Sequence, residues 1–351
     1  MNRRVLTRRA AVALLAAGGA ALAQQVPGNV AVPFYTPADF LRGMHRFWFA
    51  PRAQAFAAEA LALRAALAPS CATPAQARER WKAAALAWER LSGVAVGPLL
   101  QRRSQRQIDF APVRPELIAR AIRGEPADLR ALERVGTPAK GLGTLEWLLW
   151  TRPAAPGSAE CRYAQLLAQE VEAEALALRE AFDALAARDW GAEPEAAGAA
   201  MAEAVNQWVG AQERLRWAQM ERPLRSARDG SAPGRPPAWP RAASGSSAAS
   251  WSARWEAIAA LAALPGRAAP QPGAGLVPLE TYLRGRGLNP LADRLARTAA
   301  QAGRGMAAAR PGATGSVQTA ARAVGELKRL AEAEIAPALE VQIGFSDADG
   351  D

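Results

Sequence analysis

The sequence has 351 residues, 50% hydrophobic and 22% charged, with Lys+Arg 43 against Asp+Glu 33 and a formal net charge of +10. That composition excludes a disordered, collagen-like or polytopic membrane chain, and the length suits two domains, each able to bury a core. His45 is the only histidine, so a histidine metal cage, a Ser-His-Asp triad or a Cys-His dyad would have one candidate imidazole at most.

Residues 1–23 read as an export signal. Arg3, Arg4, Arg8 and Arg9 precede an apolar run from Ala10 to Leu22, and Ala21-Leu22-Ala23 forms a small-x-small cleavage site before Gln24. Thr7-Arg8-Arg9 loosely fits a twin-arginine (Tat) signal, while Ala10-Ala11 leave the ordinary Sec route equally open. No later stretch reaches roughly 18–20 uninterrupted apolar residues. The expected mature protein therefore has no transmembrane segment and resides in the periplasm or cell envelope. Cleavage removes four arginines and takes the formal charge from +10 to +6. Lysine occurs only at Lys82, Lys140 and Lys328, and the arginines are scattered along helices, so the excess reads as GC-rich codon usage, with no nucleic-acid partner.

Beyond the signal, β-branched residues are few and apolar positions recur every three or four residues, which predicts an all-α chain. A first helix opens at Thr36-Pro37-Ala38-Asp39, with a Thr cap, Pro in the first turn and an acid three residues on, and runs towards Leu67. A second opens alike at Thr73-Pro74, shows Trp81, Ala84, Ala85, Trp88 and Leu91 on one face, and ends at Gly93. Helices follow around Pro115–Arg123, from Ala127 to Glu133, and from Gly141 to Trp150. A long one begins at Ser158, carrying Leu166, Val171, Leu178 and Phe182. The second half opens near Glu193 with Val205, Trp208, Leu215 and Met220, then meets the Pro/Gly/Ser/Arg-rich stretch 223–247, read as a surface excursion. Periodicity resumes at Trp251, breaks at 265–275, returns at Leu279–Ala308, and ends in a helix capped by Ser316. The simplest packing is two helical bundles, residues 24–190 and 191–351. In an oxidising compartment Cys71 and Cys161 are expected to pair, with two buried free thiols as the alternative.

Three segments carry candidate chemistry. Glu146 sits inside an apolar helix, where a carboxylate must be paired, hydrogen-bonded or protonated. It reads either as half of a structural ion pair with a neighbouring Arg or as a cleft carboxylate that binds a cation or substrate. Arg102 and Arg106, four apart, share a face if helical, and call for something anionic between them: Glu146 and Asp109, or an exogenous anion. Ser244 and Ser247 precede the Trp251 helix and read first as caps, second as cleft hydrogen-bond donors. His45, in Met44-His45-Arg46-Phe47-Trp48-Phe49, reads as a packing or surface histidine. The tail Asp347-Ala348-Asp349-Gly350-Asp351 imitates the start of a calcium loop but lacks its remainder.

The string Gly-Leu-Gly-Thr-Leu-Glu-Trp-Leu-Leu-Trp at 141–150, Arg106-Gln107-Ile108-Asp109-Phe110-Ala111-Pro112-Val113-Arg114, Trp239-Pro240-Arg241 to Ser244-Gly245-Ser246-Ser247, and Ile343-Gly344-Phe345-Ser346-Asp347 resemble, in order, the imelysin family. The resemblance implies two bundles related by an internal pseudo-twofold, a cleft between them, and a cell-envelope location often linked to iron acquisition. The family's signature is Gly-x-His-x-x-Glu, thought to form part of a metal site. Gly141 and Glu146 match it, but Gly143 stands where the histidine belongs, and glycine has no side chain to ligate with. The expectation is therefore a non-catalytic binding protein whose cleft is lined by Arg102, Arg106, Asp109, Arg114, Gly141, Gly143, Glu146, Ser244 and Ser247. Its ligand would be a small anion, a metal chelate or a peptide, with no defined cofactor and Glu146 the one weak metal candidate. The alternatives are a metal-dependent peptidase, as founding members of the family are described, and an envelope scaffold that binds another protein.

Overall fold

A computed structural model of the chain describes residues 31–68, 70–229, 236–264 and 266–344; the export signal and the acidic tail lie outside them. Among the described residues there is no β-strand, only an isolated bridge between Arg310 and Ala313. The chain is all-α.

The first half begins with α1 (Pro37–Met44), whose N-terminus is closed by the Thr36–Asp39 capping box. It continues through a π-helical turn, His45–Phe49, into α2 (Ala50–Leu67). Then come α3 (Pro74–Ser92), the short α4 (Pro98–Gln101) and α5 (Ser104–Ile108), α6 (Pro115–Arg123), α7 (Leu129–Leu132), α8 (Gly141–Glu146) and the 29-residue α9 (Ala159–Ala187), capped by Ser158. The second half holds α10 (Pro194–Glu213), α11 (Arg222–Asp229), α12 (Ser247–Ala262), α13 (Leu279–Gly285), α14 (Asn289–Ala308), α15 (Thr314–Leu330) and α16 (Ala336–Ala338). Further π-helical turns follow α8, join α10 to α11, and join α15 to α16.

α2 packs against both α3 and α9, and α14 against α15. Trp81, Trp88 and Phe56 fill the first set of contacts, and Phe49 stacks on Phe182 with ring centroids 5.1 Å apart. The two halves meet where α3 lies along α12 and α1 along α10, and the buried side chains of both form one continuous core. A disulfide between Cys71 and Cys161, Cα atoms 5.9 Å apart, ties the start of α3 to the first turn of α9.

Three local expectations need correction. The last long helix starts at Thr314, so Ser316 lies inside it; its hydroxyl donates to the Ala313 carbonyl and accepts from the Arg310 N–H. The periodicity over 279–308 is cut at Arg286–Leu288, where Gly287 turns with φ 77°. The stretch 223–247 is not wholly a surface excursion. It begins as α11 and returns inward at Trp239, which is buried edge-to-face on Trp251 at 5.1 Å.

Candidate functional site

Helix α8 starts at a residue only glycine can be. Gly141 has φ 70°, and a Cβ there would lie 2.2 Å from the Ile108 carbonyl oxygen. The contact presses the first turn of α8 against the end of α5, so that Glu146 and Asp109 enter the same buried region. The Trp81 indole N–H, donating to the Leu142 carbonyl at 3.0 Å, fixes α3 to the same turn.

Both carboxylates meet the second half of the chain there. Arg241, in left-handed conformation (φ 61°) and buried, donates from Nη2 to Asp109 Oδ1 at 2.6 Å and from Nε to Glu89 Oε1 at 3.2 Å. Its guanidinium also lies over the Trp81 ring, 5.4 Å from the centroid. Arg254 of α12 pairs with the other oxygen of Glu89 and approaches Asp109 at 3.7 Å. The Trp88 indole N–H donates to Asp109 at 2.9 Å, and the Ser250 hydroxyl to Glu89 at 3.0 Å. Glu146 accepts from both the backbone N–H (2.9 Å) and the hydroxyl (2.7 Å) of Ser244. Burial alone would make Arg241 easier to deprotonate, but the charges of Asp109, Glu89 and Glu146 outweigh it and raise its pKa, so the guanidinium stays charged. Three carboxyl groups and two guanidiniums thus share one buried region.

The residues singled out in the sequence divide into three groups. Asp109, Gly141, Glu146 and Ser244 are brought together. Ser247 lies alongside, its hydroxyl donating to the Pro240 carbonyl at 2.7 Å and holding the turn that delivers Arg241. Neither serine caps α12: its N-cap is Ser246, which makes no side-chain capping bond. Arg102 and Arg106 do not share a helical face, because Arg103 turns left-handed (φ 53°) and splits the segment into α4 and α5. Arg102 instead forms a two-point bond to Glu174 of α9, at 2.9 and 2.6 Å, joined by the Ser104 hydroxyl at 2.6 Å. Arg106 and Arg114 are exposed; Arg114 serves through its backbone as the N-cap of α6.

Glu89, Arg254 and Ser250 were not among the sequence candidates, and Arg241 was noted only for the motif it sits in. The signal was present: Glu89 is four residues from Ala85 on the apolar face of α3, and Arg254 lies between Trp251 and Ile258. A charge inside an apolar stripe is the pattern that drew attention to Glu146.

The donor set does not fit a metal centre. Among the described residues no group of three or more His, Cys, Asp or Glu could hold an ion. Asp109 and Glu89 are paired with Arg241, Arg254, Trp88 and Ser250, and Glu146 Oε1 accepts from Ser244. At Gly143 a Cβ would already lie 2.8 Å from Val113 Cγ1, so an imidazole there would require the Val113 side chain to move. His45 is elsewhere, stacked on Trp190 at 5.3 Å and packed against Phe49 and Phe182. Burial, with Arg188 adding to it, lowers its pKa to about 4.

A family model described as Imelysin matches residues 49–334. Two solved structures share the fold. An imelysin-like protein from Psychrobacter arcticum aligns with a TM-score of 0.68 at 20% identity, covering 90% of this chain and 100% of its own. A "putative iron-regulated protein A precursor" from Parabacteroides distasonis aligns at 0.65 with 15% identity, covering 86% and 94%. At these identities the structures speak for the fold alone. No curated protein matches the sequence.

Proposed function

The chain belongs to the imelysin family, and from that premise we propose that it is an exported, non-catalytic binding protein of the periplasm or cell envelope that acts in iron handling. The observation that carries the non-catalytic reading is the lack of an imidazole beside Glu146: glycine stands at 143, and the single histidine, His45, is stacked on Trp190. Glu146, the acid of the family motif, accepts two hydrogen bonds from Ser244 at Oε1 instead, and so serves the junction between the two halves. The iron connection is supported by the name of the Parabacteroides neighbour.

In this reading the two bundles, residues 24–190 and 191–351, are held in one register by the cluster, whose carboxylates come from the first and whose guanidiniums come from the second. The ligand is an anionic iron chelate, received beside the cluster by the exposed Arg106 and Arg114. Both side chains lie within a few residues of Asp109 and make no ion pair among the described residues.

The test is a thermal-shift series on the mature protein with Fe(II), Fe(III)-citrate, Zn(II), citrate and phosphate, repeated on Arg106→Ala with Arg114→Ala. A midpoint rise with Fe(III)-citrate that disappears in the double variant supports the reading. A rise with Zn(II) accompanied by peptide cleavage would move the protein to the peptidase alternative. No shift with any ligand in a folded sample would leave the scaffold reading in its place.

A further inference from the structure

A second basic site lies away from the charge cluster, in an open cavity of about 830 Å³ between α11 and α15. Its lining includes Arg225 and Arg228 from α11, with Thr314, Gln318 and Arg322 from α15. The three α15 residues are spaced by four and so stand one above another on a single face. On the opposite wall, Arg225 and Arg228 are three apart and share a face in the same way.

The charge of this cavity is largely uncompensated. Its one carboxylate, Glu221, already accepts from Arg216 at 2.7 Å and reaches Arg225 only at 3.9 Å. Arg228 pairs with its exposed neighbour Asp229, a surface contact worth little. Arg322 makes no ion pair among the described residues. Arg225 is held by stacking on Trp217, 4.8 Å from the ring centroid, which leaves its fork aimed without a strong anionic partner.

We propose that this cavity binds a small organic polycarboxylate. Guanidiniums on two facing walls suit an anion with charges at both ends, since each planar fork matches a carboxylate in two-point fashion. Between them Leu224, Ala227, Pro236 and Pro237 offer apolar surface to a carbon skeleton, which a bare inorganic ion would leave uncovered. Thr314 and Gln318 add a hydroxyl and an amide to the lining, chemistry that can bond a ligand hydroxyl. A volume of this size is that of a small-molecule site rather than of a single ion. The ligand could arrive free or already holding a metal ion; the recognised chemistry is the carboxylates in either case.

This site shares no residue with the reading above, and its test keeps the two apart. Isothermal titration of the mature chain at roughly 0.15 M ionic strength uses four probes: citrate, tricarballylate, Fe(III)-citrate and phosphate. Saturable citrate binding weakened about ten-fold or more in Arg322→Gln and in Arg228→Gln, and partly kept in Arg322→Lys, is the expected result. Because these side chains are exposed, the variants fold. Tricarballylate binding more weakly than citrate would place the hydroxyl at Thr314 and Gln318, and equal binding would remove those two residues from the site. Equal affinity for citrate and Fe(III)-citrate identifies the free acid as sufficient; binding of the complex alone identifies the metal-loaded form. Phosphate binding as tightly as citrate would overturn the proposal, as would citrate affinity unchanged in Arg322→Gln or no binding at all. Citrate binding that persists in Arg322→Gln but vanishes in Arg106→Ala with Arg114→Ala would assign the ligand to the first site and sink this one.

Discussion

Two clusters of buried charge border the first-half core, and they are built differently. Around Arg241, carboxylates from α3, α8 and the 109 turn meet donors from beyond residue 240, and the hydrogen bonds that join the halves there span 98 residues of sequence or more. Along α9, Glu170 pairs with Lys140 at 2.6 Å and Glu174 with Arg102 and Ser104, all within the first half. Neither cluster is fully hydrogen-bonded: Glu89 Oε2 meets Arg254 as an ion pair but, like one oxygen of Glu170, is buried without a hydrogen bond. Burial raises the pKa of Glu170, and Lys140 offsets only part of that rise. The lesson is that a charge network drawn from distant segments fixes two halves of a chain against each other, while an acid served mainly by one lysine is left with a pKa that burial raises.

Removing one member of the first cluster should have the largest effect. Arg241→Ala leaves Glu89 and Asp109 with Arg254 as their one remaining guanidinium and is expected to cost about 3–5 kcal/mol in urea unfolding; a loss below 1 kcal/mol (about the worth of a surface pair) would show that the cluster is hydrated. The pH scan comes next. His45 is held near 4 against 6.5 in the unfolded chain, so between these values the unfolded state binds the extra proton. Stability is intact above about pH 6.5 and declines as pH falls through 4, by about 3 kcal/mol in all, a slope that His45→Leu should flatten. Ser244→Ala deprives Glu146 of its hydroxyl donor but keeps the backbone N–H, and should cost about 1–3 kcal/mol. Glu170→Gln is expected to be smallest, about 1 kcal/mol or less at neutral pH. Its sign is opposite to that of an ordinary paired acid: with the folded pKa raised, the Glu170 contribution is present below the unfolded value of 4.5 and is lost as pH rises through the folded value. A wild-type minus Glu170→Gln difference that grows with pH instead would show Lys140 to be the stronger influence.

Much of the fold could be read directly. The Thr-Pro openings at Thr36 and Thr73 start helices at Pro37 and Pro74, and the Trp81-to-Leu91 face is buried. These features depend on neighbours one turn apart, which sequence spacing reports faithfully. The stretch 223–247 misled for the opposite reason. Its Pro, Gly and Ser content describes an irregular backbone, and irregular backbone usually runs over the surface; contact of Trp239 with Trp251, of Arg241 with Glu89 and Asp109, and of Ser244 with Glu146 draws it inward. Arg102 misled because an i, i+4 argument presumes an unbroken helix, and one left-handed residue, Arg103, rotates the pair apart.

By itself the sequence determined the all-α class, the helix starts at Pro37 and Pro74, and the suspicion that Glu146 is special. Each follows from periodicity, capping chemistry or the mere identity of a residue, and none needs a partner distant in the chain. Which guanidinium answers which carboxylate was decided by tertiary structure alone. Arg102 went to Glu174, Arg241 to Asp109 and Glu89, and Ser244 to Glu146, because Coulombic and hydrogen-bond energies in a low-dielectric interior depend on separations of a few ångström. Such separations between residues 89 and 241, or 146 and 244, exist only once α3 and α12 have packed.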